Sequence, residues 1–147
     1  MPDRSLPLYF RLFNEIGILE QLSRTMFEAR LPDGVLASHF AVLNHLMRVA
    51  DGRTPLELAR AFQMPKTTVT HVLGHLERRG WIEMRSNPED RRSKRVWITA
   101  EGRAFRDGAI AALTPDLAAI AEHFPADRVA ALVEGLEALR IWMDARR

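Results

Sequence analysis

The chain has no cysteine among its 147 residues, which excludes disulfides, thiolate-ligated zinc and thiol-based redox sensing. It has no apolar run near the ~18 residues that cross a bilayer. Met1-Pro2-Asp3-Arg4 has no signal-peptide pattern, so the expected setting is the cytoplasm, away from membranes. Carboxylates are plentiful, but none is paired with a nucleophile pattern or a phosphate-binding glycine loop. No enzymatic activity and no cofactor are therefore expected. With 47% apolar residues, the chain can bury a real core as a single domain spanning 1–147.

What is present is concentrated in residues 66–99, KTTVTHVLGHLERRGWIEMRSNPEDRRSKRVWIT. Val69, Val72, Leu73 and Leu76 recur at i, i+3, i+4 and i+7, one face of a helix about 100° wide. Thr67, His71, Gly74 and Arg78 fall on the opposite face, where Gly74 would let another surface come close. A shorter helix precedes this one: Thr54-Pro55-Leu56-Glu57 is a capping box with proline at the first helical position. Pro65 disfavours helical geometry at Met64 and turns the chain in a new direction. Two helices joined by a tight turn, the second with a polar outer face, make a helix-turn-helix pattern, whose second helix lies in a DNA major groove.

A hairpin follows. Trp81, Ile82 and Met84, then Val96, Trp97 and Ile98, have the aromatic and branched content of strands, and the loop expected between them spans 86–95. Arg91, Arg92, Lys94 and Arg95 crowd that loop behind the turn signal Asn87-Pro88-Glu89-Asp90. It is long for a hairpin and strongly basic, which is the pattern of a wing reaching toward phosphates or a minor groove. Charge along the chain agrees. Seven basic against seven acidic residues in 1–65, ten against five in 66–106 and four against seven in 107–147 give balances of 0, +5 and −3. The surplus lies on the stretch expected to meet DNA.

These residues resemble the winged-helix core of the MarR family of transcriptional regulators. The similarity rests on Thr68-Val69-Thr70, Leu76-Glu77-Arg78-Arg79-Gly80, Asn87-Pro88-Glu89-Asp90-Arg91-Arg92 and Ile98-Thr99-Ala100-Glu101-Gly102, in that order. The resemblance implies a mainly α fold with a small β wing, in which a winged helix-turn-helix core (35–99) is flanked by helical dimerisation regions (1–31 and 100–147). It implies that Arg92 enters the minor groove with Asp90 bracing the loop, and that Thr67, Thr68, Thr70 and His71 face the major groove. His71 stands where the family commonly has arginine. Lys66, Arg91, Lys94 and Arg95 complete the expected DNA contacts. The expected partners are double-stranded DNA with a pseudo-palindromic operator and a second copy of the chain. The expected function is repression released by a small, aromatic effector, for which Phe13, His39 and Phe40 are the ligand-binding candidates.

The flanks read as helices. Phe10, Phe13, Ile16, Leu19, Leu22, Met26 and Phe27 pattern a helix over 6–31, and Leu36, Phe40, Leu43 and Met47 a second one ending near Val49. Thr99 is placed to cap a helix running toward Phe124, with Pro115 as a kink or break, and Pro125 opens a last apolar-striped helix. Two terminal helices with broad apolar faces are more easily buried against a second copy than on a small core. Two alternatives stand beside this reading: a zinc-responsive regulator using the i, i+4 pair His71 and His75 with His39, His45 or His123, and a winged-helix protein-interaction module that does not bind DNA. No metal site is expected from one histidine pair alone.

Overall fold

In a computed structural model that describes residues 3–147, the chain forms α1 (Leu6–Glu28), α2 (Ala37–Arg48), α3 (Pro55–Phe62), α4 (Lys66–Arg78), β1 (Ile82–Ser86), β2 (Lys94–Ile98), α5 (Ala100–Ala111), α6 (Thr114–His123) and α7 (Ala126–Asp144). Met1-Pro2, the start of the expected N-terminal region, lies outside the described residues. The fold is mainly α with a small β wing, a winged helix-turn-helix between N- and C-terminal helices. By its contacts the chain divides into two compact units that meet at Ala112 and Leu113.

In the first unit the amphipathic stripe of α4 makes the core. Val69, Val72, Leu73 and Leu76 are all buried, against Leu43 and Leu46 of α2, Leu58 and Ala59 of α3, and Ile82, Val96 and Ile98 of the hairpin. The capping box at α3 forms as expected: the Thr54 hydroxyl accepts from the Glu57 N–H at 3.1 Å, and the Glu57 carboxylate accepts from the Thr54 N–H at 3.2 Å. Gln63 closes α3 in the left-handed conformation (φ 50°), and Pro65 starts α4 without a side-chain cap. A second cluster, Leu31, Val35 and Ala109 with Phe27, Phe40, Trp81 and Phe105, ties the α1–α2 connection to α5.

The hairpin is antiparallel, with Ile82 opposite Ile98 and Ser86 opposite Lys94. The connecting loop is therefore 87–93, shorter than the expected 86–95, because Ser86, Lys94 and Arg95 pair as strand residues. An unexpected bridge joins Arg53 to the outer edge of β2: the Val96 N–H donates to the Arg53 carbonyl at 2.7 Å. The neighbouring Asp51 carboxylate accepts from the Ile98 N–H at 3.0 Å and pairs with Arg103 of α5 at 3.4 Å. Thr99 caps α5 as expected, accepting from the Gly102 N–H at 3.0 Å. The break expected at Pro115 is present: α5 ends at Ala111, and Pro115 stands in the first turn of the separate α6, which runs to His123.

The second unit is a pair of helices, α6 and α7, in which no residue is buried. Leu132, Val133, Leu136, Ile141 and Trp142 all face solvent.

Candidate nucleic-acid interface

The α4 stripe that fills the core forces the other face outward. Lys66, Thr67, Thr68, Thr70 and His71 are all exposed within the first two turns, where a reading helix presents its side chains to base edges. Thr70 donates its hydroxyl proton to the Lys66 carbonyl at 3.0 Å, so outward it offers acceptor lone pairs and a methyl group. With Pro65 at the cap, the first-turn N–H groups have no side-chain acceptor and can take a phosphate oxygen. Gly74 has only the Arg78 guanidinium near it, 3.3 Å from where a Cβ would sit, so no other part of the chain uses the space it leaves.

The wing carries the rest. Arg91 and Arg92 are exposed at its tip, with 91% of the Arg92 side chain open to solvent. The Asp90 carboxylate accepts from both the Arg92 N–H, at 3.0 Å, and its Nε, at 3.2 Å, which leaves the Nη groups facing outward. These two bonds hold the Asp90 carboxyl below the usual carboxylate range, so it stays ionised as a brace. Lys94 is exposed on β2. Arg95 is turned inward instead, with Nε on the Asn87 side chain at 3.2 Å and Nη2 on Glu89 at 3.4 Å. Sequence reasoning missed Asn87, reading it only as a turn residue; the tendency of asparagine side chains to bond the backbone two residues on was the available signal.

The remaining candidates separate. His39 is 5% exposed, accepts the Leu36 N–H on Nδ1 at 2.8 Å and stacks on His75 of α4 with ring centroids 4.1 Å apart. Phe40 packs edge-on against Phe27 at 4.5 Å. Phe13 lies fourteen residues before Phe27 on the same helix, about 21 Å along its axis at 1.5 Å per residue, so within one chain it does not share a pocket with Phe40. His45 packs on Phe62, and His123 bonds its own helix backbone at Ala119. Among the described residues no three histidine, aspartate or glutamate side chains converge as metal ligands, so the zinc-responsive alternative lacks a donor set there. No helix of the described residues is long and apolar enough to cross a membrane.

A helix-turn-helix with an exposed polar reading face and a braced basic wing defines a DNA-binding protein of the winged-helix class. The family model described as MarR family matches residues 33–93. The chain is 32% identical over 130 residues to the multiple antibiotic resistance protein MarR of Escherichia coli, covering 82% of this chain and 90% of that protein. It is 33% identical over 98 residues to the transcriptional activatory protein BadR of Rhodopseudomonas palustris, covering 65% of this chain and 54% of that protein. The crystal structure of a cysteine-to-serine mutant of E. coli MarR complexed with operator DNA superimposes with a TM-score of 0.71 at 27% identity, covering 93% of this chain and 98% of that one. The chain belongs to the MarR family of DNA-binding transcriptional regulators, and as such is not an enzyme.

Proposed function

We propose that the protein is a cytoplasmic, homodimeric repressor that reads a pseudo-palindromic operator. The carrying observation is the shared outward exposure of the first turns of α4 and of the Asp90-braced arginine tip. Thr67, Thr68, Thr70 and His71 read the major groove, Arg92 enters the flanking minor groove, and Lys66, Arg91 and Lys94 meet phosphates. Leu8, Phe10, Leu19 and Leu22 of α1 are exposed, as are Leu132, Val133 and Trp142 of α7. Apolar surface of that extent is buried by a second copy. Twofold symmetry then sets two reading helices in successive major grooves, about 34–36 Å apart.

Release by a small aromatic anion would act where α1 meets the winged core, beside His39 and Phe40, by favouring a spacing of the reading helices that fits DNA worse. Such a ligand weakens operator binding and raises the melting temperature of the free protein. A compound that did only one of these would not be the effector.

Replacing Arg92 with alanine tests the wing. It should weaken binding to every duplex and reduce the slope of log K against log salt by about 0.9, the release of one phosphate's counterion. An unchanged slope would remove Arg92 from the interface.

A further inference from the structure

We propose that Asn87 is a positioning residue for DNA binding, a buckle that closes the wing and, with Ser93 and Arg95, sets the direction in which Arg91 and Arg92 leave it. The inference rests on the reading of the wing as a DNA contact. Asn87 is 7% exposed although it sits at the end of an otherwise open hairpin. Its carboxamide spans the loop. Oδ1 accepts from the Glu89 N–H at 3.1 Å and from Arg95 Nε at 3.2 Å, while Nδ2 donates to Ser93 Oγ at 2.9 Å. The backbone closes around the same residue: the Asn87 N–H donates to the Ser93 carbonyl and the Asp90 N–H to the Asn87 carbonyl, each at 3.3 Å.

Two tiers of bonds follow from this. Asn87 fixes where Asp90 sits, and Asp90 fixes Arg92 through its N–H and Nε. The two tiers meet at Ser93, whose N–H and hydroxyl donate to the Asp90 carbonyl at 3.1 and 3.4 Å, while Asn87 itself makes no bond to the tip arginines. Arg95 belongs to the first tier. Its guanidinium is held on Asn87 and Glu89, and only 31% of its side chain is exposed, so it supports the loop rather than extending toward phosphate. The Asn87 amide, with both ends bonded inside the loop, acts on DNA only through the arginines it orients.

Fluorescence anisotropy on a labelled operator duplex across a salt series, with the full-length protein, tests this. Asn87→Ala should weaken binding about tenfold and shift the salt slope toward that of Arg92→Ala, because an unheld arginine loses its phosphate. The double variant should lose less than the product of the two single losses, since both changes act through the Arg92 contact and only Arg91 is left for the buckle to orient. Asn87→Asp keeps both acceptor bonds, and the Ser93 hydroxyl can rotate to donate to it, so most of the affinity should return. Wild-type affinity in Asn87→Ala, losses that multiply in the double variant, or no rescue by aspartate would each overturn the assignment. Wild-type affinity in Arg92→Ala would instead overturn the reading of the wing, and the assignment with it. If Asn87→Ala does not fold, Ser93→Ala removes the bond from Asn87 Nδ2 together with the longer 3.4 Å bond from the Ser93 hydroxyl to the Asp90 carbonyl, and should cost about threefold. Unaltered binding in that variant would then reject the proposal.

Discussion

Replacing Gly102 with alanine is expected to lower the melting temperature by roughly 4–8 °C, where the same change in an open helix raises it. Gly102 is in the first turn of α5, and its N–H is held by the Thr99 hydroxyl. A Cβ there would lie 2.1 Å from the Trp81 carbonyl oxygen and 2.9 Å from Ile98 Cγ1. The carbonyl cannot yield cheaply, because it accepts the Thr99 N–H at 3.0 Å and so closes the hairpin onto the end of α4. Overpacking of this kind costs about 3 kcal/mol, and the gain in helix propensity returns about 1 kcal/mol, leaving a net loss near 2 kcal/mol. At about 2–4 °C per kcal/mol for a chain of this size, that gives the expected fall. Gly108 in the same helix has no neighbour within 4 Å of its would-be Cβ, and Gly108→Ala should raise the melting temperature instead. Equal shifts in the two variants, read by thermal denaturation, would mean that the first turn of α5 does not lie against the Trp81 carbonyl as described.

The second large effect is loss of stability in acid. Burial pushes the His39 imidazole down, the neighbouring His75, His71 and Arg79 add to that, and Glu28 opposes it, for a pKa of about 4 against an ordinary 6.5. The geometry gives the same sign. Nδ1 already accepts the Leu36 N–H, so a second proton must displace that bond at the start of α2, beside the stacked His75 ring. Since the folded pKa lies below the unfolded one, the stabilisation is complete above pH 6.5. It is lost progressively as the pH falls toward 4, where it is exhausted. A gap of this size is worth roughly 3 kcal/mol. His75 is displaced in the same direction, again first by burial, and steepens the loss. His39→Asn keeps an acceptor for the Leu36 N–H without a titrating ring, so its melting temperature should fall much less between pH 7 and pH 4.5. Parallel pH profiles for the two proteins would exclude His39 as the source.

Local signals carried much of the fold. The α4 stripe, the Thr54–Glu57 box, the Thr99 cap and the breaks at Pro65 and Pro125 are short-range patterns with a direct physical cause, and each appears in the structure. The loop boundary failed because Lys94 and Arg95 are basic, and composition alone cannot tell a charged loop from the outer face of a paired strand. Arg53 on β2 and Asp51 on Ile98 join residues more than forty positions apart, for which no local pattern exists. The same holds within the candidate site. The outward face of α4 follows from helical periodicity, whereas the turning of Arg95 onto Asn87 and the stacking of His39 on His75 depend on tertiary placement. That placement makes His39 part of the packed α2–α4 contact and leaves Phe13 far from it within one chain.

The central claim is that two copies of this chain read one DNA site through α4 and the wing. Fluorescence anisotropy of the purified protein on the duplex upstream of its own coding sequence, against a scrambled duplex of equal length, tests it most directly when run across a salt series with and without chelator. Tighter binding to the native duplex is predicted, with a steep salt slope, two chains per duplex at saturation and no effect of chelator. Equal, weak binding to both duplexes, or one chain per site, would contradict it.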